Sequence, residues 1–159
     1  MNILFLLTNK TETMYLFDDD TVASGLAIMR ERRFAAIPVI KKTGEYVGTV
    51  CEGDFLWSVM DSNMESAHSD SDCKIRDIIR NWWNNPITID ESVEEVVERL
   101  MHQNFVPVVD DRNFFMGIIT RSSVMSYYTK KMELLEERTV CSEDTLDSLD
   151  AQAVGIINA

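Results

Sequence analysis

Positive charge is scarce in this chain: 15 Lys+Arg stand against 27 Asp+Glu, a formal net charge of -12 over 159 residues. That shortage excludes a protein that grips DNA or RNA by its phosphates, which takes a basic face. It also disfavours docking on an anionic membrane. Cysteine is equally thin. Cys51, Cys73 and Cys141 are an odd number at wide spacing with no CxxC pair, so there is neither a disulfide framework nor a zinc site, and the usage fits a reducing cytosol. The only histidines are His68 and His102. No His/Asp/Ser or Cys/His set can be assembled from them, no Gly-rich phosphate loop is present, and the expectation is no enzymatic activity. Long apolar runs are missing as well. Ile3 to Leu7 has no basic stretch before it and Thr8-Asn9-Lys10 after it, unlike a signal peptide, and nothing approaches the ~20 apolar residues of a membrane span. A cytoplasmic protein is expected, its first residues packed against the fold. The 45% hydrophobic and 26% charged content is ordinary for a globular chain of one domain, or of two small ones sharing a core.

What the chain does have is an internal repeat. Phe34-Ala-Ala-Ile-Pro-Val-Ile40 returns as Phe105-Val-Pro-Val-Val109; Pro38 and Pro107 stand 69 apart, as do Gly48 and Gly117. Upstream, Asp20-Thr-Val22 matches Glu91-Ser-Val93 at an offset of 71, so the second copy lacks two residues between its helix and its proline. Each copy reads β-α-β-β-α. A short strand (Met14 to Phe17; Ile87 to Ile89) precedes a helix whose apolar positions are Val22, Leu26 and Met29, or Val93, Val97, Leu100 and Met101. Ser92 and Glu95 have capping-box spacing. Two strands follow, Ile37 to Ile40 and Tyr46 to Val50, or Val106 to Val109 and Phe114 to Ile119, joined by connectors of hairpin length. A second helix opens near Asp54 or Ser123. One copy alone would leave a face of its sheet bare, and pairing the copies buries it. The expected class is α/β (α+β), two repeats packed sheet to sheet with pseudo-two-fold symmetry. The first repeat with its lead-in spans 1–62, a polar linker 63–73, the second repeat 74–130, and a helix extension with an acidic tail 131–159.

The Thr position at the end of each last strand lies where a strand gives way to a helix. Its hydroxyl and the free N–H groups of the first helical turn form a ready anion site. An Asp three residues on can accept both hydroxyls of a ribose, and Ile37-Pro-Val39 with Val106-Pro-Val108 can sandwich a purine. Adenosine phosphates answer to all three features.

These residues resemble a known family. The β-α-β-β-α repeat, the x-Pro-Val strand and the strand-end pattern Gly-h-h-Thr-x-x-Asp (h, apolar) are similar to those of CBS domains, which occur in pairs as Bateman modules. Here the pattern reads Gly48-Thr-Val-Cys-Glu-Gly-Asp54 and Gly117-Ile-Ile-Thr-Arg-Ser-Ser123. The lead-in Lys74-Ile-Arg-Asp-Ile-Ile79 followed by Asn-Pro-Ile-Thr-Ile89 resembles the segment that introduces a second repeat. The resemblance covers about Asn9 to Tyr128, and the arrangement also looks like stand-alone CBS pairs of Gram-positive bacteria. It implies a regulatory ligand in the clefts between repeats, namely AMP, ADP, ATP, S-adenosyl methionine or cyclic di-AMP, with no further cofactor required.

The sequence departs from the pattern in both copies. The first keeps Asp54 but has Cys51 in place of Thr; the second keeps Thr120 but has Ser123 in place of Asp. Ser cannot clamp a diol with two charged acceptors, so ribose affinity there falls. Arg121 can compensate by pairing with phosphate, which its counterpart Glu52 would repel. The favoured cleft is therefore the one reached by Thr120 and Arg121. The candidate ligand-binding set is Thr120, Arg121, Ser123, Asp54, Cys51, Ile37, Pro38, Val106, Pro107 and Ile87. An Arg at that place without a ribose Asp is also similar to the cyclic di-AMP-binding members. A ligand-free dimerisation module is the rival reading.

The loop His68-Ser-Asp-Ser-Asp-Cys73 has metal-loving types without EF-hand or zinc spacing and reads as solvated linker. Cys51 as a nucleophile would need a base that the sequence does not show. Trp82-Trp83 fits core packing, or else an aromatic wall over adenine or a partner contact. Lys10 and Arg32-Arg33 are either salt-bridged surface or a phosphate contact; surface is the favoured reading for the two arginines, and Lys10 stays open. The expected partners are a small-molecule nucleotide, a second copy of the chain through faces around Leu26, Met29 and Leu56, and a regulated protein. The segment from Thr139 to Ala159 is either a flexible tail or a docking segment.

Overall fold

The structure, a computed structural model, describes residues 2–64, 73–80 and 83–135. The metal-loving loop up to residue 72, Trp82, Cys141 and the acidic tail lie outside them. The chain divides into two compact units, Met1–Ser123 and Val124–Ala159. In the second unit the described residues are helical, with Tyr127 and Tyr128 edge to face at 5.5 Å.

The elements follow in order as β1 (Thr8–Asn9), β2 (Leu16–Phe17), α1 (Val22–Arg32), β3 (Ala36–Ile40), β4 (Tyr46–Cys51), α2 (Glu52–Met64), α3 (Ile75–Ile78), β5 (Ile87–Thr88), α4 (Val93–His102), β6 (Phe105–Val109) and β7 (Phe115–Thr120). A helix, α5, opens at residue 121 and runs to 135 within the described residues. One sheet has the order β2-β3-β4 and the other β1-β7-β6-β5. Pro38 faces Thr49 across the first hairpin, and Pro107 faces Ile118 across the second. The short parallel strands β2 and β5 reach only Val39 and Val108. The prolines, which have no N–H to give, therefore stand beside no strand on that side.

The helical stripes differ from the expected ones. In α1 the buried residues are Val22, Gly25 and Met29, and Leu26 is exposed. In α4 they are Val93, Val96 and Leu100, whereas Val97 and Met101 face outward. Gly25 takes the core position because a Cβ there would lie 2.7 Å from Ile75 Cδ1 and 3.0 Å from Leu16 Cδ1. Ser92 caps α4 by accepting from the Glu95 N–H at 3.1 Å, but the Glu95 carboxylate pairs with Arg99 at 2.9 Å instead of reaching back.

The two sheets meet through Ile40, Tyr46, Val109 and Phe115, one buried cluster made of two equivalent pairs. The hairpin tips exchange reciprocal hydrogen bonds. The Tyr46 N–H donates to the Asn113 carbonyl and the Phe115 N–H donates to the Gly44 carbonyl, each at 2.9 Å. Because 44 pairs with 113 and 46 with 115 in the repeat, these two bonds straddle the pseudo-two-fold axis.

Ile3 and Leu6 are buried, and β1 adds an antiparallel edge to the second copy's sheet, Thr8 opposite Ile118 and Asn9 opposite Gly117. A Cβ on Gly117 would stand 2.1 Å from the Thr8 carbonyl oxygen, and one on Gly48 would stand 2.7 Å from Ile79 Cγ2. Each repeat's lead-in thus crosses the other repeat at its strand glycine. That crossing positions both clefts.

Candidate functional site

The two strand-to-helix corners are built differently. At the second, Thr120 and Ser123 form a reciprocal pair: the Ser123 N–H donates to Thr120 Oγ1 and the Thr120 N–H donates to Ser123 Oγ, both at 3.1 Å. This is the geometry of a capping box, which satisfies N–H groups that the first turn leaves free. Ser123 Oγ also donates to the Thr120 carbonyl at 2.9 Å, and Ser122 Oγ lies 2.9 Å from Thr120 Oγ1. At the first corner only half the box exists. The Cys51 N–H donates to Asp54 Oδ2 at 2.8 Å, and the thiol makes no cap in return.

Around Thr120 lies a cleft of about 390 Å³ lined by both copies. Ala36, Ile37 and Pro38 come from β3, Phe105 and Ile118 from the second sheet, and Thr13 and Met14 from the first lead-in. Its lining is chiefly apolar; Thr8, Asn104 and Thr120 add polar groups, and the charged side chains on it are the exposed Arg33 and Glu12. Apolar walls with a few convergent polar groups are the usual make-up of a small-molecule site. Arg33 closes α1 in the left-handed conformation, φ 55°, where its N–H caps the Met29 carbonyl. A non-glycine residue there carries about 1–2 kcal/mol of strain.

Of the expected residues, Thr120, Ile37 and Pro38 meet in this cleft. Ser123 adjoins it through Thr120, with its hydroxyl engaged by backbone. Arg121 turns away: its Nε donates to the Leu100 carbonyl at the end of α4, at 2.7 Å. Val106 and Ile87 are 0% and 2% exposed within the second sheet, and Pro107 is buried beside them. None of those three lines the cleft.

Cys51 and Asp54 belong to the other half-site, where Asp54 is already held. Arg80, in the second lead-in, donates Nε to Asp54 Oδ1 at 2.7 Å and a terminal N–H to Cys51 Sγ at 3.2 Å. Its guanidinium lies 4.3 Å from the centre of the Trp83 ring, a cation–π contact that fixes its plane. Beside it Tyr46, Thr49 and Asn84 form a buried polar cluster. The Tyr46 hydroxyl donates to the Asn84 carbonyl at 2.9 Å and lies 2.8 Å from Thr49 Oγ1, to which Asn84 Nδ2 donates at 3.0 Å. Burial pushes the Tyr46 phenol above the tyrosine range, and the Thr49 hydrogen bond opposes the shift. Arg80, Trp83 and Asn84 border a second cavity of about 470 Å³. Another, apolar groove of about 800 Å³ runs between α1 and α2, lined by Leu26, Met29, Phe55, Leu56 and Val59 with Arg33 at its rim.

Sequence reasoning favours surface over a phosphate contact for Arg33, which stands beside Arg32, and passes over Arg80. The second carries one signal, a cation in the lead-in at the position where the first copy has Asn9.

The comparisons with known proteins agree with this architecture. The structure of CbpB in complex with c-di-AMP matches with a TM-score of 0.76 at 20% sequence identity, over 87% of this chain and 91% of that one. A CBS domain protein from Streptococcus pneumoniae TIGR4 matches with a TM-score of 0.70 at 23% identity, over 80% and 86%. CBSX2 in complex with AMP matches with a TM-score of 0.70 at 18% identity, over 82% and 98%. No curated protein matches the sequence. The model of the CBS domain matches the sequence twice, at residues 10–61 and 75–130. With both copies matched and the paired fold in place, the chain belongs to the CBS-domain family as a tandem pair.

Proposed function

We propose that this chain is a regulatory module that binds an adenine nucleotide of the AMP, ADP or ATP class in the Thr120 cleft and passes its occupancy to a partner. The observation that carries the reading is the contrast between the two half-sites: the Thr120 cleft is open and lined by both repeats, whereas Asp54 is already ion-paired to Arg80. Apolar walls at Ile37 and Pro38 suit a purine, and Thr120 with the cationic Arg33 suits its phosphate. Arg33 takes the role expected of Arg121. Solved CBS pairs of the same fold in complex with AMP and with c-di-AMP support the ligand class.

A ligand touching both repeats favours one relative arrangement of them, and a partner with different affinity for that arrangement responds by linkage. The apolar groove between α1 and α2 fits association with a second copy, through Leu26, Met29 and Leu56. The proposed role is binding and regulation, with no catalysis and no cofactor beyond the nucleotide. No described helix is long and apolar enough to cross a membrane. A second reading, cyclic di-AMP in the same cleft, is favoured by Ser123. It replaces the diol-binding acid, and a cyclic dinucleotide has no free ribose diol to bind.

Thermal melting with AMP, ADP, ATP, S-adenosyl methionine and cyclic di-AMP tests the proposal. A ligand at 100 times its dissociation constant stabilises by ~2.7 kcal/mol, and Thr120→Val should remove that shift. No shift with any of the five leaves the ligand-free dimerisation module as the better reading.

A further inference from the structure

Asp54 is the acid expected to take a ribose diol, yet neither of its oxygens is free. One accepts from its own corner's backbone and the other from Arg80, and the side chain is 4% exposed against 51% for Arg80. Arg80 comes from the lead-in that crosses the first repeat at Gly48, in the place that Asn9 takes beside Gly117. The arginine and the aspartate occur together in one half of the molecule, and both are missing in the other, where Asn9 and Ser123 stand instead. A second difference runs the same way. Tyr46, Thr49 and Asn84 link the second lead-in to β4 by buried hydrogen bonds, whereas their counterparts in β7 are Phe115 and Ile118. The half-site that keeps the acid is thus the one laced shut.

We propose that Arg80 is a built-in occupant of the Asp54 half-site, a latch that holds the ribose acid and limits this chain to one nucleotide, in the Thr120 cleft. The inference rests on the reading of the module as a nucleotide binder. The guanidinium supplies Asp54 with a charged donor in the place of two ribose hydroxyls. Stacking on Trp83 and the N–H donated to Cys51 keep it oriented, so an entering nucleoside has to displace a fixed cation from a buried carboxylate. The latch is half-exposed, which leaves it a path to swing outward.

Isothermal titration of the full chain with AMP tests the latch by stoichiometry. Wild type should bind one AMP per chain, lost in Thr120→Val and retained in Asp54→Asn. Arg80→Met should bind two, the added one abolished in the Arg80→Met/Asp54→Asn double variant, whose buried side chain is uncharged. Should Arg80→Met fail to fold, Arg80→Lys keeps a charge for Asp54 but loses the fork to Cys51 and the flat stack on Trp83. It should admit the second AMP at least tenfold more weakly than the first. A single AMP in every Arg80 variant overturns the latch, as does a wild type that binds two with the second dependent on Asp54. A wild type that binds none beside an Arg80→Met that binds one, dependent on Asp54, upholds the latch and overturns the Thr120 site. No AMP bound by any variant overturns the latch, and with it AMP as the ligand of the Thr120 cleft.

Discussion

Tyr46 stacks on Phe115, its own counterpart in the other repeat, with ring centroids 6.1 Å apart and planes 20° from parallel. The pair sits where the sheets meet, and it is the point at which the internal symmetry fails chemically. Tyr46 carries a hydroxyl into the Thr49–Asn84 cluster, and Phe115 has none.

Tyr46→Phe should therefore destabilise the protein by about 1–3 kcal/mol, because it leaves the buried Asn84 carbonyl and Thr49 hydroxyl short of a partner. Chemical denaturation measures this, and a change within error would mean the cluster is dispensable. The same residue sets a pH dependence. Its folded pKa is raised, so its contribution is complete below the unfolded tyrosine value near ~10 and is lost as pH climbs through the folded value. Wild type should lose stability steeply above about pH 10, and Tyr46→Phe should lose less.

The two strand glycines should respond differently to a methyl group. At Gly48 the obstacle is the Ile79 side chain, so Gly48→Ala should be rescued in large part by Ile79→Ala. At Gly117 the obstacle is the Thr8 backbone oxygen, and φ is 152°. No side-chain change should rescue Gly117→Ala. A double-mutant cycle on the melting temperature distinguishes the cases.

Arg33 separates stability from binding. Glycine in its place relieves a left-handed strain, so Arg33→Gly should leave stability unchanged or raise it by about 1 kcal/mol. The same change should weaken AMP roughly tenfold, the worth of one charge-assisted contact, and leave adenosine affinity alone. Equal losses for AMP and adenosine would place the phosphate elsewhere.

Leu26 and Leu56 are 42% and 54% exposed beside the α1–α2 groove. If a second copy covers that groove, Leu56→Glu should convert a dimer to a monomer in sedimentation at micromolar concentration without lowering its helix content. A wild-type chain that sediments as a monomer rules this interface out.

The pair of prolines and the pair of glycines made the repeat legible, because each marks a backbone position that tolerates little else. Six strands followed to within two residues, whereas β1 at Thr8–Asn9 carries no strand pattern of its own and is set by its pairing with β7. The helix faces were harder: Leu26 looks like core on hydropathy alone, and Gly25 takes the place because Ile75 of the other lead-in approaches too closely for a side chain. The same crossing explains the site. Thr120, Ile37 and Pro38 could be placed together from the repeat, since they sit on elements whose register it fixes. Arg80 as the partner of Asp54 could not, because 26 positions and a change of repeat separate them. Arg33 was hidden by its neighbour, since two adjacent arginines after a helix carry no mark of which one turns to the cleft.

The first strand pairs with the last. Thr8 lies opposite Ile118, so a segment that leaves the ribosome early has no partner until nearly all of the described chain has been made. Until β7 is made, the nascent protein carries β1 as an unpaired edge segment, because the inner strand that joins it to β6 and β5 comes last, a state open to mispairing. Closure depends on a contact of very long sequence separation, which makes the final step slow relative to hairpin formation. Truncation from either end should leave the second sheet incomplete, so the two repeats are poor candidates for separate expression.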